Sequence, residues 1–354
     1  MQFDIFKKFG KPTHVPKFTK VIRPFSIPVT KPAQFYMANL LFQGKKIFSA
    51  LKELDIEVVF GSNLAVCSLG FEEARRLGVK RIFDLSDFFP ESAKAYFPNG
   101  NSVNSSIMRY LAAIFTNYNA RIADICTTCS STLRDYMMRS LPKKRVEQLP
   151  NGVDTKIFVP KPPNEHLRNE LGLDDHVLVY VGSIESWMDF DIVLDAISIL
   201  KRKGVRIQLL VVGRSIYSET ENPLHLSIQK RGLQQQVKFL GYKPYETLPD
   251  LINLGVGGLL PFNPNLLLTQ MAFPNKLLEY LACGKPVFAP PMNELRSVGG
   301  RNLLEYRNSA MLASQIENAL NLKFEPKEIR QSIIKYDWNT IAGNLEHLIQ
   351  ELNN

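Results

Sequence analysis

Apolar residues come in short runs closed by polar turns, and between the runs they recur every three or four positions. The runs predict buried strands and the recurrence predicts amphipathic helices. Their alternation predicts a parallel sheet with helices on both faces, an α/β fold. In the first half, Asp55–Phe60 predicts a strand, Leu64–Leu77 a helix and Val79–Leu85 a strand. Ser106–Ala123 predicts a further helix and Asp124–Thr128 a short strand. Ser130 and Ser131 then offer an N-cap to a helix running through Arg139.

Pro150, Asn151 and Gly152 are turn formers, and Pro160, Pro162 and Pro163 lie just beyond. A domain boundary is placed there, between 1–150 and 151–336. The second domain predicts strands at His176–Gly182, Val205–Gly213, Val237–Gly241, Val256–Pro261 and Pro286–Ala289. Helices are expected at Asp191–Lys203, Leu224–Gly232, Glu246–Asn253 and Phe273–Cys283. That is a doubly wound domain whose strand C-terminal ends converge on one crevice. The last helix, Trp338–Leu352, has no strand of its own, so 337–354 is expected to pack back toward the N-terminal domain.

With 354 residues, 45% apolar and 22% charged, the chain has the composition of a globular protein of two domains. No apolar run is long enough to span a bilayer, and no apolar segment follows the N-terminal basic residues as in a signal peptide. Cys67, Cys126, Cys129 and Cys283 sit in apolar stretches, which fits a reducing cytoplasm better than a disulfide framework. The net charge of +9 is uneven: the first 46 residues hold nine basic residues and one acid. Such a bias suggests an anionic partner or a solvated basic face. With no zinc-finger, RNA-binding or helix-turn-helix signature, nucleic acid is not expected, and residues 1–46 are read as a peripheral contact with an anionic membrane.

The stretch from Phe273 to Val287 holds the most specific chemistry. A helix starting near Pro274, Asn275 and Lys276 offers free amides and a positive dipole end to a diphosphate. Glu279 shares a face with Lys276 and can accept both hydroxyls of a ribose; the plain alternative is two solvated surface charges. Ser86 and Asp87 follow a strand and turn toward the crevice. Ser86 can hydrogen-bond a sugar hydroxyl. Asp87 reads either as a proton acceptor or as the cap of the next turn. Trp187 reads as a packing or a stacking residue. Asp189-Phe190-Asp191 stands at a helix start, so an N-cap is expected there and not a metal. Cys126-Thr-Thr-Cys129 lacks two further ligands and reads as the end of a buried strand.

These segments resemble the GT-B glycosyltransferases of the family 4 type, whose members often read PNK-L-EY-A-GKPV at the donor site. Pro150-Asn151-Gly152-Val153-Asp154 with Phe158 resembles that family's interdomain linker. Val181-Gly182, Val211-Val212-Gly213, Phe239-Leu240-Gly241-Tyr242 and Leu259-Leu260-Pro261-Phe262 match it in order and spacing. The resemblance implies two Rossmann-like domains facing a cleft. A nucleotide-sugar would be the donor substrate and a glycan or lipid-linked molecule the acceptor, with retention of configuration and neither cofactor nor metal. It further implies that Glu279 holds the ribose, that Pro274, Asn275 and Lys276 meet the diphosphate with Gly182 and Ser183 opposite, and that Tyr242 lies against the base.

Several positions depart from the family pattern. Met271 stands where a first glutamate is common, and Ser183 and Trp187 stand in place of a phosphate-binding Arg and Lys. Arg214 is a candidate for restoring one positive charge. Lys276 and Asp87 are the expected catalytic groups. The first 20 residues contain no apolar strand followed by Gly-Gly, so the N-terminal domain is expected to be shortened. The functional expectation is sugar transfer in surface polysaccharide or glycoconjugate assembly, at the cytoplasmic face of a membrane. A non-catalytic GT-B module that binds nucleotide or glycan is the alternative. No G-x-G-x-x-G follows an early strand, which sets aside a nucleotide-dependent oxidoreductase.

Overall fold

A computed structural model describes residues 2–3, 21–22, 47–62, 64–95, 103–215 and 220–353. Strands β1 (Gln2–Phe3) and β2 (Val21–Ile22) form a small parallel pair. The rest of the basic segment 1–46, read above as a membrane contact, lies outside the described residues.

Two parallel sheets organise the chain. The first holds β3 (Val58–Gly61), β4 (Lys80–Leu85), β5 (Ile125–Thr128) and β6 (Val146–Gln148) in that order. The second holds β7 (Val177–Val181), β8 (Gln208–Val212), β9 (Val237–Gly241), β10 (Gly257–Leu259), β11 (Val287–Ala289) and β12 (Leu303–Glu305). Its spatial order is β12-β11-β10-β7-β8-β9, so the chain reverses direction of travel beside β7. Such a reversal opens a crevice at the strands' C-terminal ends, where ligands of doubly wound folds bind.

All five residues of β7 are buried, as expected of a central parallel strand covered on both faces. The helix Phe190–Arg202 covers one face with Val193, Leu194, Ile197 and Leu200. Asp189 accepts the Ile192 amide at 3.3 Å and caps this helix, while Asp191 pairs with Arg231 at 3.1 Å. Asp189 thus takes the expected capping role, and Asp191 sits in an exposed ion pair. Cys126 is buried within β5, and Cys129 is buried just beyond its end.

The helix Asn275–Ala282 covers the other face and is pinned by one side chain. Tyr280 is fully buried, and its hydroxyl accepts the Val181 amide at 2.8 Å. Its ring lies against Gly258 of β10, and a methyl group added there would fall inside the ring. Glycine is thus required at a flat, extended position because an aromatic ring occupies the space of a side chain. Gly258→Ala is expected to lower stability by about 2 kcal/mol or more through overpacking. Urea unfolding checks this, and an unchanged midpoint would contradict the packing described.

The domains are joined by more than the linker. Gly152 lies against the Trp338 ring, and Val153 bonds Tyr336 and Trp338 through its backbone at 2.9 and 3.2 Å. The terminal helix Trp338–Asn353 reaches the first domain, where Glu351 pairs with Arg145 at 2.5 Å.

Candidate active site

The site is built where β7 ends. Gly182 has φ +139°, a conformation open to glycine, and a Cβ there would fall on the Lys276 side chain. Lys276 therefore lies directly over the end of the central strand. Gly213, at the end of β8, has φ +140°, and a Cβ there would overlap the Gly182 carbonyl. The two glycines let neighbouring strand ends come close enough to leave a shallow floor beneath the lysine.

Pro274 takes the N-cap position of the helix Asn275–Ala282, and no side chain of the cap bonds its first-turn amides. Asn275 is exposed at that end, and Lys276 and Glu279 are half-buried. Burial pulls Lys276 below the ordinary lysine value, opposed by the fields of Glu279 and Glu185. Burial likewise raises Glu279, opposed by Lys276. Glu185, in the loop after β7, is 1% exposed. The site thus holds one cation between two carboxylates in a poorly hydrated place, at the amide end of a helix.

Tyr245 completes this side and was not foreseen from the sequence, which pointed to Tyr242. Tyr242 is 73% exposed. Tyr245 packs edge-on against Phe158 of the linker at 5.1 Å. Its phenol is pushed up to about 12 by burial and then by the fields of Glu279 and Asp154, and it accepts the Asp154 amide. No local signal marked it, because only the fold brings Tyr245 against Phe158. Ser183 accepts the Tyr180 hydroxyl through its carbonyl. Arg214 is exposed, and its carbonyl accepts the Ile184 amide at 3.2 Å. Trp187 is half-buried against the core, and its carbonyl accepts the Asn263 amide at 2.9 Å.

The approach to the helix is held by the first domain and by Asn151 of the linker. Ser130 donates to the Met271 carbonyl at 2.6 Å while capping its own helix at Leu133. The Phe273 amide bonds Cys129, and Asn151 donates to the Phe273 carbonyl at 2.9 Å. Met271 is 5% exposed and belongs to the shared core. Glu294, also buried, accepts the Ser131 amide at 3.0 Å, the Ser131 hydroxyl at 2.6 Å and Gln148 at 3.3 Å. A carboxylate is favoured there because it meets the amide end of the helix Ser131–Ser140.

On the first domain, Ser86 is exposed and Asp87 is half-buried. Asp87 accepts the Phe88 amide at 2.7 Å and the Ser92 hydroxyl at 2.5 Å, so both its oxygens serve the turn into the helix Phe89–Ala95. Asp84, near the end of β4, accepts the Thr127 hydroxyl at 2.7 Å. Burial pushes Asp84 up to about 6. The field of both carboxylates reaches the Cys129 thiol, which burial pushes up to about 12.

With this geometry in view, comparisons with known proteins are specific. Residues 163–337 match the family model "Glycosyl transferases group 1". The chain carries a glycosyl transferases group 1 domain on a GT-B fold. Among solved structures, sucrose-phosphate synthase from Thermosynechococcus elongatus superposes with TM-score 0.72 at 16% identity, covering 94% of this chain and 83% of that one. HepE from Anabaena, solved with UDP, gives TM-score 0.71 at 17% identity and covers 94% and 86%. Among curated relatives, a GDP-mannose-dependent α-(1-6)-phosphatidylinositol monomannoside mannosyltransferase from Mycolicibacterium smegmatis is 29% identical over 219 residues, 60% of this chain and 53% of that protein. The α-galactosylglucosyldiacylglycerol synthase of Streptococcus pneumoniae is 24% identical over 233 residues, 61% of this chain and 60% of that protein. The matched stretch thus spans less than two thirds of either relative. The Lys276–Glu279 helix and its Gly182 floor both lie inside the group 1 domain.

Asp84 supplies a pH test. Its folded value near 6 stands above the ordinary 3.8, so the native state binds the proton more tightly and stability falls as pH rises from about 4 to 6. Above that window the charged carboxylate carries a constant cost. Asp84→Asn is expected to be more stable than the parent at pH 7.5 by roughly 2 kcal/mol, and this gain should vanish near pH 4. Chemical denaturation at both pH values checks it; an equal difference at the two would contradict the burial argument.

Proposed function

We propose that this chain transfers a sugar from a nucleotide-sugar donor to a glycan or lipid-linked acceptor in the cleft between its two domains. The observation that carries this reading is the placement of Lys276 over Gly182 at the switch point, with Glu279 on the same helix face. The diphosphate would sit on the first-turn amides at Asn275 and Lys276. There the helix dipole and the Lys276 ammonium meet the charge that builds on the departing group. Glu279 would accept the ribose hydroxyls, with the Tyr245 phenol in its field. Ser86 would meet the acceptor side, and Asp87, both of whose oxygens are engaged, would hold that turn in place. Arg214, at the loop after β8, would add charge toward the donor, and Tyr242 would close on the base as the donor enters.

The chemistry of the relatives supports a nucleoside diphosphate leaving group, HepE having been solved with UDP and with UDP-glucose. Two relatives are named for glycolipids, a phosphatidylinositol monomannoside and a galactosylglucosyldiacylglycerol, which supports an acceptor at a membrane. Among the described residues no helix is long and apolar enough to cross a bilayer. The proposal includes peripheral attachment at a cytoplasmic membrane face, with surface polysaccharide or glycoconjugate assembly as the pathway class. Retention of configuration and catalysis without a metal are part of the proposal.

Two positions favour a second reading, a module that binds a donor without turning it over. Met271 is buried and apolar and Ser183 is neutral, at the positions where the family pattern described above has a glutamate and an arginine.

Nucleoside diphosphate release from a panel of nucleotide-sugars, with membrane extract as acceptor source, separates the two. Wild type is expected to release diphosphate, and Glu279→Ala to lose at least about ten-fold in kcat/KM because charge-assisted hydrogen bonds are removed. Tight nucleotide binding without release would sink transfer and leave the binding module.

A further inference from the structure

Arg330 spends its guanidinium on backbone carbonyls. Nη1 donates to the Ala282 carbonyl at 2.9 Å and to the Phe158 carbonyl, and Nη2 donates to the Thr155 carbonyl. These acceptors come from two separate places. Ala282 ends the helix that carries Lys276 and Glu279, while Thr155 and Phe158 belong to the linker. A planar fork of donors shared among three carbonyls fixes their separation, which an ammonium on a flexible stem does poorly.

The helix end needs this donor. The last four carbonyls of a helix have no partner within it. Cys283, Lys285 and Gly284 give their amides to Glu279, Tyr280 and Leu281 at 3.1, 3.0 and 2.9 Å. The Ala282 carbonyl remains, and Arg330 takes it, bringing a positive charge to the negative end of the helix dipole. The helix Pro326–Gln331, which carries Arg330, lies tight against the same turn. Gly284 has φ +70°, and a Cβ there would fall on the backbone of Pro326.

On the linker the fork meets the turn against which Tyr245 packs. Phe158 is fully buried beneath the Tyr245 ring, and the Tyr245 phenol accepts the Asp154 amide in the field of Glu279. Asp337 holds the same turn from another side, accepting the Thr155 amide at 3.2 Å. Glu279 and Tyr245 thus stand on two bodies, the helix and the linker turn with its packed ring, and Arg330 is bonded to both bodies. Tyr280 seats the helix on the sheet; Arg330 sets its distance from the linker.

We propose, resting on the donor reading above, that Arg330 is a positioning residue: it sets the gap between Glu279 and Tyr245, and so the fit of the ribose hydroxyls at Glu279. It acts through the two residues it spaces and not by contact with the ligand.

The test is titration calorimetry of the full chain with UDP and 2′-deoxy-UDP, and with GDP and 2′-deoxy-GDP. The readout is the ratio of the deoxy to the ribo dissociation constant. Partial unfolding lowers both affinities alike and leaves that ratio unchanged, whereas a displaced Glu279 lowers it. Wild type is expected to prefer the ribonucleotide at least about ten-fold, the worth of a hydrogen bond to a charged group. Arg330→Gln, whose short amide cannot span the three carbonyls, should bring the preference below about three-fold. Arg330→Lys keeps the charge without the fork, should lie between the two, and carries the test if the glutamine variant does not fold. Ile329→Ala truncates a buried neighbour on the same helix; it should lower the melting temperature and keep the wild-type ratio. The role of Arg330 is overturned, with the donor reading intact, if the folded Arg330 variants keep the wild-type preference or if Ile329→Ala loses it equally. If wild type binds neither nucleotide, or shows no preference for the ribose, the donor reading of Glu279 fails and the positioning role falls with it.

Discussion

The arrangement depends on one buried hydroxyl. Tyr280 places its hydroxyl inside the core, where the O–H donates to the Leu259 carbonyl at 3.4 Å and the oxygen accepts the amide of Val181, the last residue of the central strand. Those bonds and the ring's seat on Gly258 fix both the height and the rotation of the helix Asn275–Ala282 over the sheet. One turn earlier, the same helix therefore has to place Lys276 above Gly182. The geometry of the candidate site is in this sense a packing result: the cation is positioned by an aromatic residue that is itself fully buried.

Electrostatics then work against burial. Lys276 and Glu279 each lose hydration, which disfavours both charges, and each charge is partly restored by the field of the other. A second set of contacts orients the start of this helix from outside its own domain. Ser130, Cys129 and Asn151 hold the backbone at Met271 and Phe273, and Glu294 answers from the second domain to the helix that begins at Ser131. The two domains meet at the entry of the helix that carries the candidate site, so a change in their relative placement acts on Lys276 directly.

Much of this was legible in the sequence where chemistry is local. The Lys276–Glu279 spacing, the run into Gly284-Lys285-Pro286-Val287 and the cap at Asp189 are read from neighbours a few positions apart. The central strands were legible because buried parallel strands are apolar throughout. Local periodicity says nothing about partners far along the chain. Glu294 gave no signal because its donors lie at Ser131 and Gln148. Tyr245 was passed over for Tyr242 because only the fold brings it against Phe158. The strand Leu303–Glu305 and the helix Ser309–Asn321 were likewise missed, since they are short or weakly patterned and are stabilised by the edge they extend and the helix they cover.

The central claim is that a nucleoside diphosphate binds where the helix Asn275–Ala282 overhangs the end of β7. A crystal structure of the chain soaked with UDP or GDP tests it most directly. The account predicts diphosphate oxygens within hydrogen-bond reach of the amides at Asn275 and Lys276 and of the Lys276 ammonium, with the ribose hydroxyls on Glu279. A nucleotide bound elsewhere, leaving Lys276 over an empty Gly182 floor, would contradict it.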